Sequence, residues 1–432
     1  MTKFGFIGRS GVAKNATGAK AAHDTPLVFD TQLFFNIKIM SPTNGCNAWA
    51  SDRHRCWIDA TGRIVIDSLS VTPLSASISD PALDSLFLPF SARSLAWPEG
   101  PVLFLRAREG WAMRQYPLAQ LVCEQSYKPF ADELERGGLQ VIADATESTA
   151  RYPLVLVLPP RQREEARALF ARAVSLCAPG GVVVASITNN EGAKSGEADL
   201  KQLTGLGGSL TKNHCRVFWS KPIDGSQDPA LLAKWMGLDA TRPILEGRFS
   251  SRPGVFAWDR IDPASALLVE HLPADLAGKG ADLGAGYGYL SAEILARSTK
   301  VSALDLYEAE ARALALAKQN LVPFEKQASL GYRWHDVTTG VPDQYDFIVS
   351  NPPFHTQSRA DRPDVGRRFI AVAAESLKPG GRLFLVANRH LPYEAVLNAS
   401  FGQVRVAGER DGFKVIEAIK AVPSARSNKS PR

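Results

Sequence analysis

No unbroken apolar stretch in this chain of 432 residues approaches the roughly 18 residues that a membrane-spanning helix needs; Leu154 to Leu158 is among the longest. Cysteine is scarce. The 5 residues, at positions 46, 56, 123, 177 and 215, form no C-x-x-C pair, which argues against both a disulfide framework and a zinc site. The 7 histidines are scattered without ligand spacing, so no metal is expected. No continuous apolar segment follows Lys3, Arg9, Lys14 and Lys20, and the start reads as an unstructured basic stretch instead of a secretory signal. Strong net charge is missing too: 50 Lys and Arg against 44 Asp and Glu give +6, which permits a nucleic-acid partner without requiring one. These absences lead us to expect a cytoplasmic monomer with no membrane and no metal.

What is present is the composition of a globular protein, 45% hydrophobic and 22% charged, in a chain long enough for two or three domains. Residues 1–80 keep no helical or strand period and are expected to form an N-terminal extension of low order, with a short strand at Leu33 to Phe35 or Ile64 to Ile66. From there strands alternate with helices: Val102 to Leu105, Leu121 to Cys123 and Leu154 to Leu158 read as buried strands, followed by a helix from Arg163 to Leu176 and a strand at Val182 to Ala185. Such alternation predicts an α/β fold with a doubly wound sheet over residues 81–222. A polar, turn-rich stretch, residues 223–250, is expected as a linker. The alternation then resumes over residues 251–422, opened by a helix that Asp262 caps and Pro263 begins, and a basic tail closes the chain at 423–432.

Two segments match. Tyr152 to Arg161 lies over Tyr345 to Phe354, each followed by a helix, a Pro-Gly-Gly turn (179–181 and 379–381) and an apolar strand, and Arg216 to Trp219 parallels Lys414 to Glu417. Several features in one order make an internal duplication the better explanation than coincidence. The chemistry did not duplicate with the fold. Where the second copy has a glycine loop the first has Arg106, Arg108 and Glu109, and where it has Asn351 and Phe354 the first has Leu158 and Arg161. The first half therefore reads as a degenerate copy without the glycine loop, with Arg106, Arg108 and Arg161 either offering a basic platform for a polyanion or leaving the half to stabilise the fold by packing.

Asp282, Gly284, Gly286 and Gly288 close a strand and open a helix, where glycines let the backbone turn tightly and free N–H groups face a ligand. The G-x-G-x-G spacing with an acid ahead of it differs from the dinucleotide fingerprint and suits a zwitterionic amino-acid group. Asp305 follows at a predicted strand end, where a carboxylate accepts from two ribose hydroxyls. Asn351, Pro352, Pro353 and Phe354 come after another strand, at the carboxyl edge where open α/β sheets hold ligands. An exocyclic amino group on a ring is a poor nucleophile. If the Asn351 side chain and the Pro352 carbonyl accept its hydrogens, its lone pair is aimed at an electrophile, while Phe354 stacks on the base.

These motifs, with Pro253 to Phe256, Ser350 to His355, Val386 to Asn388, Leu391 to Tyr393 and Gly412 to Val415, resemble the class I S-adenosylmethionine-dependent methyltransferases. Within them the chain resembles the bacterial ribosomal RNA guanine-N2 methyltransferases of the small-subunit methyltransferase C type. The resemblance is strong over residues 250–420. It implies two tandem Rossmann-like domains, the first degenerate; S-adenosylmethionine as cofactor; and ribosomal RNA or an assembling small ribosomal subunit as partner. It further implies that Asp282, Gly284, Gly286, Gly288 and Asp305 contact the cofactor, that Asp336 meets the adenine amino group, and that Asn351 to Phe354 hold the target base. The competing expectations are an amino-group methyltransferase acting on DNA adenine or a protein glutamine, and an RNA-binding assembly factor without activity.

Overall fold

The computed structural model describes residues 48–51, 54–58, 64–67, 80–143, 149–353 and 363–422. The expected strand at Leu33 to Phe35, the tail at 423–432 and Phe354 lie outside them. Two compact units result, Met1–Ile78 and Ser79–Arg432. In the first, β1 (Ala48–Ser51), β2 (His54–Ile58) and β3 (Ile64–Asp67) form a three-stranded antiparallel sheet, where the sequence suggested at most one short strand.

The second unit contains two seven-stranded sheets of the same design. Helices α1 (Pro81–Leu86) and α2 (Leu88–Ser91) precede β4 (Val102–Leu105), β5 (Leu121–Glu124), α3 (Lys128–Arg136), β6 (Gln140–Ile142), β7 (Tyr152–Val157), α4 (Arg163–Leu176), β8 (Cys177–Thr188), α5 (Ala193–Thr204), β9 (Leu206–Lys212) and β10 (Cys215–Ser220). Their sheet order is β6-β5-β4-β7-β8-β10-β9. The central strands are parallel and covered by helices on both faces, so β4 is apolar and buried at every position. Cys123, Cys177 and Cys215 are buried free thiols, and burial pushes Cys123 and Cys177 up to about 12, which leaves them unreactive.

The segment expected to be a linker is structured. Asp228 caps α6 (Pro229–Met236), whose Trp235 is buried in the first core with the Arg167 guanidinium 4.8 Å from its ring centre. Strands β11 (Arg242–Ile244) and β12 (Phe249–Ser251) then pair antiparallel. Polar turn residues dominate the composition here and mask one anchoring tryptophan.

The second half repeats the first: α7 (Pro263–His271), β13 (Ala277–Leu283), α8 (Tyr289–Arg297), β14 (Lys300–Glu308), α9 (Ala311–Asn320), β15 (Ser329–Trp334), β16 (Tyr345–Ser350), α10 (Pro363–Ser376), β17 (Leu377–Asn388), α11 (Glu394–Ser400), β18 (Gln403–Arg410) and β19 (Phe413–Ile419). The order β15-β14-β13-β16-β17-β19-β18 matches the first sheet strand for strand.

The halves join through the loops that follow their second strands. Tyr127 and Glu310 form an antiparallel bridge, Lys128 N donates to the Ala309 carbonyl at 2.8 Å, and Ala311 N donates to the Ser126 carbonyl at 2.9 Å. Beside this bridge lies a group of two acids and two arginines. Glu165 of α4 accepts from Arg106 at 3.1 Å and from Arg312 at 2.7 Å, and Arg312 also pairs with Glu310 at 2.9 Å. Burial pulls the Arg106 guanidinium below its usual range, with Glu165 opposing. Arg106 is therefore not presented to an RNA phosphate. Arg108 pairs with Asp80 at 2.5 Å, and Arg161 lies 3.8 Å from Glu191. The first two arginines of the expected basic platform serve internal ion pairs. Truncating Glu165, whose side chain is 6% exposed, leaves the half-buried Arg106 without its carboxylate and Arg312 with Glu310 alone, a loss of about 1.5–3 kcal/mol. Glu165→Ala should lower the denaturant midpoint clearly, whereas Glu164→Ala, next to it but on the surface, should stay within about 0.5 kcal/mol of the parent.

Candidate active site

Parallel pairing of β13 with β14 and β16 sets the site. Leu283 lies opposite Tyr307 on one side and Ser350 on the other, so the residues that follow these strands emerge together at the carboxyl edge. The Ser350 hydroxyl donates to the Leu283 carbonyl at 2.7 Å, and the N–H groups of Gly284 and Ala285 both reach the Tyr307 carbonyl. Gly284, Gly286 and Gly288 have φ of +82°, +56° and +90°, a region that side chains rarely enter. A Cβ on Gly286 would meet open space, and one on Gly284 would stand 3.8 Å from the Asn351 carbonyl oxygen. The glycine loop and the Asn-Pro-Pro turn thus lie side by side at the carboxyl edge.

The acids are distributed differently from expectation. Asp282 is fully buried behind the loop, where its Oδ2 accepts from the Ser291 hydroxyl at 2.7 Å and its Oδ1 has no partner. Burial raises its pKa to about 7, and the nearby Glu308 adds to the shift.

Asp305 is bonded toward the other end of the sheet. Its carboxylate accepts from the Tyr345 hydroxyl at 2.9 Å and pairs with Lys279 at 3.1 Å, and it crosses Gly331, whose added Cβ would come within 1.9 Å of it. Tyr345 begins β16 and Lys279 lies early in β13, so these bonds draw Asp305 away from the carboxyl edge. Side chains alternate along a strand. The residue at the end of β14 is Glu308, whose Oε2 accepts from Gly286 N at 2.7 Å and Oε1 from Glu310 N at 2.8 Å. Burial raises its pKa as well. The sequence places the strand end at residue 305; β14 runs three residues further, to Glu308.

Asp336, expected near an adenine, caps the turn after β15: its Oδ1 accepts from the Thr338 amide at 2.9 Å and hydroxyl at 2.7 Å. Pro352 is buried and Pro353 exposed. Asn351 Nδ2 donates to Asp262 Oδ2 at 2.9 Å and to the Ser265 hydroxyl at 2.8 Å. Sequence reading had assigned Asp262 only a capping role, which it also performs through Ser265 N at 2.8 Å.

In the first half, Leu105 to Trp111 takes the place of Leu283 to Tyr289, so Arg106, at φ +55°, stands where Gly284 does and Arg108 where Gly286 does. Gln125 occupies the position of Glu308 and donates to the Ala107 carbonyl at 2.6 Å. The buried Leu158 replaces Asn351. This edge has no cradle.

In the second half the residues fit S-adenosylmethionine. The glycine loop is open at Gly286, and among the described residues the buried Asp282 and the half-buried Glu308 are bonded to neutral donors and to no cation, which suits a positively charged nucleoside. Among the described residues no cluster of His, Cys, Asp and Glu could hold a metal, and no helix is long and apolar enough to cross a membrane.

Residues 246–417 match the methyltransferase small domain family. Ribosomal RNA small subunit methyltransferase C of Chromohalobacter salexigens is 34% identical over 258 residues, 57% of this chain and 73% of the relative. The solved 16S rRNA N2 methyltransferase of T. thermophilus (RsmC), in complex with AdoMet and guanosine, superposes with a TM-score of 0.67 at 24% identity over 87% of this chain and 98% of that one, which establishes two tandem Rossmann-like methyltransferase domains as the fold. The enzyme of the same name from Shewanella baltica is 31% identical over 269 residues, 61% of this chain and 75% of its own length, and with that coverage the chain belongs to the ribosomal RNA small subunit methyltransferase C family.

Proposed function

We propose that the protein transfers a methyl group from S-adenosylmethionine to the exocyclic N2 amino group of a guanine in small-subunit ribosomal RNA. Residues 251–422 are the catalytic half and residues 81–222 a partner half without chemistry. The observation that carries the reading is the placement of Asn351 against the glycine loop, with its amide nitrogen held by Asp262 and Ser265. The cofactor, when bound, supplies a methyl group on a sulfonium, so no strong base is required. Glu308 holds the ribose hydroxyls, and Gly284, Gly286 and Gly288 let the backbone approach the amino-acid end. Asn351 Oδ1 and the Pro352 carbonyl accept the two hydrogens of the target amino group, which frees the nitrogen lone pair for attack. A guanine must be unpaired or flipped out to reach this edge, and an assembling subunit offers one at lower cost than a finished duplex. The family supports ribosomal RNA over DNA adenine or protein glutamine.

Reaction of small-subunit RNA with labelled cofactor, followed by nucleoside mapping, should yield N2-methylguanosine. Asn351→Ala should reduce turnover by about 100-fold or more while leaving cofactor affinity within about twofold, because the amide acts on the transition state. Labelled N6-methyladenine in DNA or methylglutamine in a protein, with no labelled guanosine, would refute the substrate.

Glu308→Ala should weaken cofactor binding by about 10- to 100-fold, the loss of charge-assisted bonds of roughly 1.5–3 kcal/mol. Asp305→Ala should change it little, and calorimetry on both variants separates the two acids. Cofactor affinity should also depend on pH. A bound cation favours the ionised form of Asp282, whose pKa stands near about 7 without one; below that pH binding must expel a proton. Affinity is therefore full above pH 7 and falls below it, by at most about tenfold per unit. Asp282→Asn should flatten the profile.

A further inference from the structure

We propose that Asp262 and Ser265 are positioning residues that lock the Asn351 amide with its oxygen toward the target, and so make the site selective for an amino group. The inference rests on the role given to Asn351 above. An asparagine amide has two donor hydrogens and one acceptor oxygen, and either end can face a substrate unless its neighbours decide. Here they decide. A carboxylate only accepts, so Asp262 Oδ2, 2.9 Å from Asn351 Nδ2, admits the nitrogen and excludes the oxygen. Ser265 Oγ, 2.8 Å away, takes the second hydrogen. Both donors are then consumed, and among the described residues nothing donates to Oδ1. Pro352 and Pro353 carry no N–H of their own. The turn consequently shows carbonyl oxygens toward an incoming group, matching an amino group with two hydrogens and opposing a ring nitrogen or carbonyl that needs a donor.

The same Asp262 oxygen that holds Asn351 also accepts from Ser265 N at 2.8 Å, capping α7. One side chain thereby fixes the start of a helix and the orientation of the amide. Ser265 is itself buried, so its hydroxyl has little freedom to turn elsewhere.

Asp262→Ser keeps a capping hydroxyl but is too short to hold Asn351; Ser265→Ala leaves the Asp262 cap intact. Both should lower kcat, the first by about 10- to 100-fold and the second by several-fold, with cofactor affinity, RNA KM and thermal midpoint near the parent's. A purely structural role would move the midpoint and not kcat alone. The sharper measurement is reciprocal exchange. Asn351→Asp alone sets two carboxylates against each other and should be inactive, whereas Asn351→Asp combined with Asp262→Asn, whose Oδ1 keeps the cap on Ser265 N while its Nδ2 turns to the new carboxylate at position 351, restores a donor opposite an acceptor and should recover at least about tenfold in kcat over the single variant. Wild-type kcat in both Asp262→Ser and Ser265→Ala, or a folded exchange pair with no recovery, overturns the inference. If Asn351→Ala itself turns over normally, the functional reading fails first; if Asn351→Ala is dead and the other two are unaffected, only the positioning role fails. Should Asp262→Ser not fold, Ser265→Ala and the exchange pair carry the test.

Discussion

The bridge between Tyr127 and Glu310 is the constraint around which the two halves are arranged. Its flanking hydrogen bonds are related by a pseudo-twofold: Lys128 begins α3 as Ala311 begins α9, and each N–H reaches the carbonyl at the matching point of the other half, Ala309 and Ser126. Trp334 Nε1 adds bonds to both of those carbonyls, at 2.9 Å to Ser126 and 2.8 Å to Ala309. The segment that carries Glu308 is therefore pinned immediately after that carboxylate by a backbone contact from the other half. A loop free to move there would let the carboxylate wander by more than the fraction of an ångström that pre-organised binding tolerates.

Duplication explains why the first half was retained after its site was lost. Two copies of one fold meeting at equivalent loops need both loops, whatever happens at the edges nearby. The substitutions in the first copy then act in one direction. Arg106 in place of a glycine fills the cradle and turns its charge into the Glu165 and Arg312 group, and Gln125 in place of an acid bonds back to its own loop. Arg106 adopts positive φ, a conformation that costs a non-glycine residue of order 1–3 kcal/mol, and the buried ion pairs offset it.

Much of this was legible from spacing. The duplicated Tyr-Pro or Tyr-Asp strand, the Pro-Gly-Gly turns and the glycine run locate β7, β16, β8, β17 and the cradle, because each of these features is written in neighbouring residues. Asn351 emerges where a strand-end motif should. The failures share a physical cause. Asp305 or Glu308, Arg106 as ligand or brace, Asp262 as cap or clamp: each depends on which distant side chain is opposite. Glu308 shares a hydrogen bond with a residue in the preceding loop, Arg106 with one in α4, and Asn351 with one at the start of α7. A single sequence gives residue types at these positions but not the pairs they form.

The acid distribution follows from what the site must hold. A sulfonium nucleoside with an ammonium group brings positive charge, and a protein cation beside it would repel that charge. Among the described residues, Lys279 and Arg333 pair with Asp305, and Arg312 with Glu310 and Glu165, so these cations are neutralised by acids other than Asp282 and Glu308. Among the described residues, the buried Asp282 and the half-buried Glu308 have only neutral hydrogen-bond donors, and desolvation raises the pKa of both. On the proposed reading a bound cation would offset that cost and make the two acids a source of affinity for the cofactor. On the proposed reading the target side follows a complementary rule: Asp262 and Ser265 hold the Asn351 amide nitrogen, which leaves its oxygen to accept from the amino group that is methylated.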